Sequence, residues 1–180
     1  MTLTLAATPL GNPGDASPRL KSAIESAEVI AAEDSRRFHR LASDLGVTFT
    51  AKIISFFDGN ETARTQEVLA LLQAGKRVLV VSDAGMPTIS DPGFRLTRDA
   101  IALNIPIVVI PGPSAPTMAL ALSGLATDRF TFEGFLSRSA GARQSHLESL
   151  RFEERTMIFF EAPHRITECL SDALETFGSE

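Results

Sequence analysis

The stretch Val81-Ser-Asp-Ala-Gly-Met-Pro-Thr-Ile-Ser-Asp-Pro-Gly93 lies between an apolar run, Val78 to Val81, and a segment of helical pattern, Phe94 to Asn104. The apolar run predicts a buried strand, and the later segment predicts a helix. Between them stand two Ser-Asp pairs, two glycines and two prolines. Open α/β sheets bind ligands at stiff, polar loops that leave the carboxyl end of a central strand. This stretch therefore predicts both a fold class and a site, although a solvated strand-to-helix connection is the alternative interpretation.

The same alternation of strand and helix patterns extends on both sides of that loop. Ser17, Asn60 and Asp91 are predicted to cap helices, and Pro18 and Pro92 to occupy first helical positions. Strands joined by helical crossovers indicate the α/β class, with a five-stranded, mostly parallel sheet and helices on both faces. The predicted strands are Leu3–Ala7, Val29–Ala32, Ile53–Phe56, Val78–Val81 and Ile105–Ile110, and the predicted helices are Pro18–Ala27, Ser35–Leu45, Asn60–Ala74 and Phe94–Asn104.

The pattern changes after Pro113. A polar, small-residue stretch at 137–142 predicts a loop. We therefore expect an N-terminal α/β domain over residues 1–113 and the first part of a smaller, incomplete C-terminal α+β domain over residues 117–180. The predicted strands after Pro113 are Phe130–Phe135 and Thr156–Glu161, and the predicted helices there are Ser114–Ser123, Gln144–Leu150 and Arg165–Phe177.

Composition excludes several classes of protein. The chain has 180 residues, of which 44% are hydrophobic, and a net charge of −5. This composition argues against disorder, and no segment approaches the roughly 18 apolar residues that span a bilayer. Cys169 is the only cysteine and the three histidines are scattered, so neither an intramolecular disulfide nor a zinc site is expected. The single cysteine fits a cytoplasmic protein, and the first residues fit a strand better than a signal peptide. We therefore expect a cytoplasmic protein without a membrane partner, and no metal.

Polar segments follow several predicted strands. Thr8–Asp15, Ser82–Gly93 and Pro111–Ala115 follow the first, fourth and fifth strands. Because the carboxyl ends of parallel strands share one edge of a sheet, these three loops are predicted to converge on one ligand. Glu33-Asp34 follows the second strand and precedes a basic helix start, which is equally typical of a solvated helix face. Glu161-Ala-Pro-His-Arg165 follows a later strand and is also compatible with a surface turn.

Seven sequence blocks stand in a characteristic order: Thr8–Asp15, Ala32–Arg36, Ser55–Glu61, Val81–Gly93, Pro111–Ala115, Phe132–Leu136 and Phe160–Arg165. Together they resemble the tetrapyrrole-methylase-like (class III) S-adenosylmethionine methyltransferases. Within that superfamily they are similar to the small-subunit ribosomal RNA methyltransferase I branch, which methylates the ribose 2′-oxygen of a cytidine in 16S RNA. Corrin and porphyrin methylases share the fold but usually carry Gly-Asp-Pro where this chain has Ser82-Asp83-Ala84.

The resemblance implies S-adenosylmethionine as the methyl donor, bound in a cleft between two domains. It also implies 16S RNA or the small ribosomal subunit as the partner and a homodimer as the assembly. Asp34 and Glu33 are the candidates that would orient or deprotonate the acceptor hydroxyl. The implied donor-binding residues are Leu10, Gly11, Asp83, Gly85, Met86, Ser114, Ala115 and Phe160, and the candidate RNA-binding residues are Arg36, Arg37, Arg40, His164 and Arg165.

Two features oppose this interpretation. The net charge of −5 differs from the basic footprint of most RNA-binding proteins, so local clusters would have to make the contacts. The second domain of the family normally continues past the point that matches Glu180, so the chain resembles a C-terminally shortened form. A methylase of a tetrapyrrole or another small acceptor, and a donor-binding fragment without activity, are therefore the alternatives.

Overall fold

The computed structural model describes residues 1–178 and divides the chain into two compact units, Met1–Ala115 and Pro116–Glu180. We call them the first unit and the second unit. The strands are β1 (Thr2–Ala6), β2 (Val29–Ala32), β3 (Lys52–Ser55), β4 (Arg77–Val81), β5 (Ile107–Ile110), β6 (Phe130–Phe135) and β7 (Thr156–Phe160). The α-helices are α1 (Pro18–Ser26), α2 (Ser35–Asp44), α3 (Glu61–Gln73), α4 (Phe94–Ala102), α5 (Ala115–Ser123), α6 (Ala140–Ser149) and α7 (Ile166–Phe177), with short 3₁₀ turns at Pro13–Asp15 and Pro163–Arg165.

The first unit contains a five-stranded sheet in the order β3-β2-β4-β1-β5. All four pairings are parallel, so the predicted α/β class and the five-stranded sheet are confirmed. The carboxyl ends of the strands consequently lie along one edge, which we call the carboxyl edge. The loops after β1, β2, β4 and β5 all leave the sheet there.

Apolar side chains cover both faces of this sheet. Strand β4 is buried from Val78 to Val81 and contributes alternate residues to two core clusters. Val78 and Val80 pack with Leu72 of α3 and Leu96 of α4 in one cluster. The other cluster holds the remaining residues of β4 together with side chains of α1 and α2. This two-sided burial explains why the strand sequences are continuous apolar runs and do not alternate.

Three predicted N-caps have different outcomes. Ser17 accepts a hydrogen bond from the Leu20 N–H at 3.1 Å, as predicted. Asp91 does not cap α4, which begins two residues later than Pro92 and has Gly93 as its N-cap. The prediction was wrong because a carboxylate distant in sequence, that of Glu61, accepts the N–H groups at this helix start.

The side chain of Asn60 makes no cap hydrogen bond at the start of α3. Its amide instead bridges the preceding loop, because Oδ1 accepts from the Phe57 N–H at 2.9 Å and Nδ2 donates to the Ser55 carbonyl at 3.1 Å. The cap prediction was therefore wrong in its contact, although α3 does begin at the next residue.

The second unit is a parallel β6–β7 pair with α6 between the two strands in sequence, followed by α7. Up to residue 178, its core cluster of buried residues consists of Leu136, Leu147 and Cys169. A buried ion pair joins Arg143 of α6 to Asp172 of α7. Helix α6 begins at Ala140, so the loop predicted over residues 137–142 is wrong in its last three residues. Within residues 1–178, no helix combines the length and apolarity needed to cross a membrane.

Candidate functional site

The loops after β1, β4 and β5 meet at Gly85. Thr8 and Gly85 form an antiparallel bridge in which the Thr8 N–H donates to the Gly85 carbonyl at 2.8 Å and the Gly85 N–H donates back at 3.1 Å. A Cβ placed on Gly85 would lie 3.2 Å from Leu10 Cδ2 and 3.8 Å from the Pro113 carbonyl oxygen. Gly85 also has φ +83°, which disfavours other residues. The predicted convergence of these three loops is therefore visible at a position that requires glycine.

A second close approach joins the end of β1 to the loop after β5. A Cβ on Gly112 would lie only 2.9 Å from the Cβ of Ala7. A side chain at this position would push the two loops apart, so glycine is required for packing here even though φ is not positive.

The Glu33-Asp34 pair interlocks with the loop between β4 and α4, residues Ser82–Gly93, which we call the β4–α4 loop. The Asp34 N–H donates to Asp83 Oδ1 at 3.1 Å, and the Asp83 N–H donates to Glu33 Oε2 at 3.2 Å. Asp83 Oδ2 also pairs with Arg37 Nη1 at 3.1 Å. Asp83 therefore links two predicted groups of site residues along the carboxyl edge.

The two proposed proton acceptors differ in environment. Asp34 is the N-cap of α2 and accepts from the Arg36 N–H at 2.7 Å and the Arg37 N–H at 3.4 Å. The hydrogen bond from the Arg36 N–H, followed by the one from the Arg36 side chain, lowers the pKa of Asp34, and the Arg37 N–H adds a smaller effect in the same direction. Burial, in contrast, raises the pKa of Glu33. Glu33 is consequently the better placed of the two to take up a proton.

Asp91 has the largest pKa change at this edge, and sequence reasoning assigned it only to a helix cap. Burial, followed by the negative charges of Glu33 and its neighbours, raises the pKa of Asp91 to about 6, although a hydrogen bond from Ser82 opposes the change. The sequence feature that could have indicated Asp91 as a site residue is the repeat of Ser-Asp, which occurs twice in the β4–α4 loop. Groups with such shifts cluster at functional sites.

The β4–α4 loop also carries unusual backbone conformations. Thr88 has φ 78° and Ser90 has φ 60°, and Gly93 ends the loop with φ 124°. Positive φ is uncommon outside glycine, and for a β-branched threonine it costs on the order of 1–3 kcal/mol. The surrounding contacts must therefore hold this loop in place.

A cavity of about 260 Å³ lies beside the start of α2. Gly11 from the first loop, Asp83 from the β4–α4 loop and the α2 residues Arg37 and Arg40 all line it. Predicted donor-binding and RNA-binding residues of the first unit thus share one concave surface. Arg36 does not line the cavity, and its side chain is 91% exposed.

The predicted site residues of the second unit lie near the end of β7. The ring of Phe160 packs edge-on against Phe132 and Phe135. Arg165 Nη2 donates to the carbonyls of Leu136 and Ser137 at 3.2 and 3.0 Å, so its guanidinium is engaged within the unit. His164 is exposed.

The remaining predicted donor-binding residues lie in the β4–α4 loop and at the start of α5. Met86 is half-buried in the β4–α4 loop, Ser114 precedes α5, and Ala115 is its first residue. Among residues 1–178, no group of three or more His, Cys, Asp or Glu side chains is arranged to hold a metal ion.

Comparisons with known proteins agree with this architecture. The family profile of the tetrapyrrole (corrin/porphyrin) methylases matches residues 2–180. A relative from Mycobacterium tuberculosis, named ribosomal RNA small subunit methyltransferase I, is 48% identical over 176 residues, which are 98% of this chain and 62% of the relative. A relative of the same name from Synechocystis sp. is 50% identical over 178 residues, or 99% of this chain and 63% of the relative. The chain thus spans less than two thirds of the length of these relatives.

A solved structure shares the fold. Uroporphyrin-III-C-methyltransferase from Thermus thermophilus superposes with a TM-score of 0.60 at 19% identity, covering 97% of this chain and 73% of that one. At this identity the likeness concerns the fold alone.

Proposed function

Since the chain belongs to the tetrapyrrole (corrin/porphyrin) methylase family, we propose that it is part of an S-adenosylmethionine-dependent methyltransferase of 16S ribosomal RNA. The proposed acceptor is the ribose 2′-oxygen of a cytidine. The meeting of three loops at Gly85 is the observation that carries the donor side of this proposal. The names of relatives at 48% and 50% identity support the acceptor side.

The donor fits the chemistry of the carboxyl edge. S-adenosylmethionine supplies an activated methyl group, so the residues around it mainly orient the donor and exclude water. Gly85 leaves the backbone open where the loops meet, and Asp83 offers a half-buried carboxylate. The donor-binding set that we propose is Leu10, Gly11, Asp83, Gly85, Met86, Ser114, Ala115 and Phe160. No metal has a role in this chemistry.

The acceptor hydroxyl needs a group that takes up its proton. We propose Glu33 for this role ahead of Asp34, because burial raises the pKa of Glu33 whereas the hydrogen bonds of an N-cap lower that of Asp34. Arg36, Arg37 and Arg40 are proposed to bind RNA phosphates from the start of α2. His164 and Arg165 are proposed as weaker contributors, since the guanidinium of Arg165 is engaged within its own unit.

A cytoplasmic homodimer is the proposed setting, because the proposed substrate is ribosomal and pairing two copies would bring together the local basic clusters of a chain whose net charge is −5. There are two alternatives. The family profile that matches residues 2–180 is that of the tetrapyrrole (corrin/porphyrin) methylases, which supports a tetrapyrrole or another small acceptor as the first alternative. The second alternative is a donor-binding fragment without activity, and the chain spans 62–63% of the length of the Mycobacterium tuberculosis and Synechocystis relatives.

Donor binding is the first test. S-adenosylmethionine or its demethylated product at about 100 times its dissociation constant should stabilise the folded protein by roughly 2.7 kcal/mol, with or without a chelator. Asp83→Ala should weaken binding by calorimetry, whereas Asp99→Ala, on α4, should not. A folded wild-type protein that binds neither ligand would contradict the proposal.

RNA use is the second test. Transfer of a labelled methyl group to small subunits from a strain lacking the modification is expected, and transfer to uroporphyrinogen is not. Arg37→Ala should reduce RNA affinity and lower its salt dependence by about 0.7 log units per log unit of salt, while donor affinity stays unchanged. Arg19→Ala, an exposed position on α1, is the matched control. Equal RNA affinity of the two variants would indicate that the basic cluster of α2, Arg36, Arg37 and Arg40, is a solvated helix face that does not bind RNA.

A further inference from the structure

The block Ser55–Glu61 has no part in the chemistry proposed above, yet it ends in a buried carboxylate. Glu61 is the first residue of α3 and is only 8% exposed. Its side chain is directed at another helix, α4, whose N-cap is a glycine without a side chain. We propose that Glu61 is a positioning residue that holds the β4–α4 loop in its donor-binding conformation. This inference rests on the proposed donor site.

The contacts of Glu61 are those of an N-cap supplied from a distance. Oε1 accepts from the Gly93 N–H at 2.9 Å and from the Arg95 N–H at 3.2 Å. Arg95 Nε lies 4.0 Å from Oε2. The first N–H groups of a helix have no partner within the helix, so one carboxylate here satisfies donors that Gly93 leaves open.

The charge of Glu61 is also favourably placed. The carboxylate belongs to the first turn of α3 and contacts the first turn of α4, so the positive ends of two helix dipoles face it. Charge-assisted hydrogen bonds from backbone N–H groups compensate for its burial. The side chain thus replaces a local cap with a contact that ties α4 and the end of the β4–α4 loop to α3.

The loop is consequently tied at both ends. The bridge between Thr8 and Gly85 holds its beginning, and Glu61 holds its last residue, Gly93. The left-handed residues Thr88 and Ser90 lie between these two ties. Without the second tie, these residues can relax towards negative φ, and the backbone around the donor then loses its fixed geometry.

Four variants test this inference by donor calorimetry, well below the melting temperature of each protein. Glu61→Ala should weaken binding of S-adenosylmethionine and of its demethylated product by tenfold or more. Glu61→Asp keeps the charge but withdraws it from the two N–H groups, so it should also weaken binding. Glu61→Gln retains an acceptor oxygen and should stay within about threefold of wild type. Leu72→Ala removes a fully buried side chain from the same helix and should lower stability without changing donor affinity.

Amide hydrogen exchange provides an independent measurement of the tie itself. The Gly93 and Arg95 amides should exchange at least tenfold faster in Glu61→Ala and Glu61→Asp than in wild type and Glu61→Gln. Should Glu61→Ala fail to fold, Glu61→Asp supports the same comparison.

Three results would overturn the inference. The first is wild-type donor affinity in Glu61→Ala or Glu61→Asp. The second is an equal loss of affinity in Leu72→Ala, which would make the effect one of general stability. The third is unchanged exchange at Gly93 and Arg95. If the wild-type protein binds neither ligand, the proposed function fails together with the donor role of Glu61, and faster exchange in the variants would then identify Glu61 as a purely structural tie.

Discussion

The sheets of both units are parallel, but only the sheet of the first unit is covered on both faces. Val78 to Val81 of β4 are buried between two core clusters, whereas no residue of β6 is buried. Parallel strands are normally covered on both sides, and a two-stranded sheet is marginally stable in water. The comparison shows that parallel pairing alone does not determine burial, because the strands of the first unit are covered on both faces and those of the second unit are not.

Several large apolar side chains of the second unit are exposed. Leu122, Phe152 and Leu170 are 85%, 90% and 60% exposed. An apolar cavity of about 480 Å³ lies between the end of β7 and α7, and Glu161, in its wall, has a buried Oε2 without a hydrogen-bond partner among the described residues. The unit therefore has an incomplete core, and further cover would stabilise it.

The largest expected difference concerns matched core truncations. Leu79→Ala in β4 and Leu147→Ala in α6 each delete a leucine side chain from a residue that is 1% exposed. Leu79 lies in a two-sided core that cannot collapse, so we expect a loss of about 4–5 kcal/mol, against about 2–3 kcal/mol for Leu147. Urea unfolding measures both, with Phe152→Ala expected to stay within about 0.5 kcal/mol of wild type. Equal losses at the two leucines would contradict the contrast between the units.

The sequence predicts the first unit well because its signals are local. Continuous apolar runs identify the buried strands, and the shared edge of a parallel sheet predicts that loops such as Thr8–Asp15 and Ser82–Gly93 converge. This reasoning predicts that the two loops approach each other but not which residues meet. In the structure, the contact is the bridge between Thr8 and Gly85.

The remaining features depend on contacts between residues far apart in sequence. Asp91 has the residue type and the position of a helix cap. The N–H groups at the start of α4 are instead accepted by Glu61, which precedes Gly93 by 32 positions. The glycine and small residues at 140–142 suggest a loop, whereas packing of Arg143 and Leu147 extends α6 over them. Tertiary contacts override local preference in each of these cases.

A smaller effect on the free energy of unfolding is expected at the carboxyl edge, where the partly buried charge of Asp91 destabilises the first unit. The pKa of Asp91 is raised from 3.8 to about 6, so the folded state favours the protonated form. The stabilising contribution of this group is complete below about pH 4 and is lost as the pH rises towards 6 and above. Asp91→Asn should therefore stabilise the protein by about 1–3 kcal/mol at pH 7–8, with the partial exposure of the group favouring the lower end.

The measurement for Asp91→Asn is urea unfolding between pH 4 and pH 8. The advantage of the variant should vanish near pH 4, because Asp91 is then protonated in wild type as well. Glu25→Gln, at an exposed position on α1, should change stability by less than about 0.5 kcal/mol at every pH. A variant that is no more stable than wild type at pH 8 would show that the charge of Asp91 is well solvated, and the contrast between the core and its edge would be lost.

The smallest effect on stability is expected at the exposed face of α7, where the consequence is association. Leu170 is 60% exposed and borders the apolar cavity of the second unit, so we expect copies of the chain to associate through this face. Leu170→Lys should shift sedimentation velocity profiles towards monomer while changing the free energy of unfolding by less than about 0.5 kcal/mol. Ile101→Lys, at a 62% exposed position on α4 of the first unit, is the matched control and should leave association unchanged. A wild-type chain that stays monomeric at high concentration, or association that only Ile101→Lys disrupts, would show that the incomplete core of the second unit is not what brings copies together.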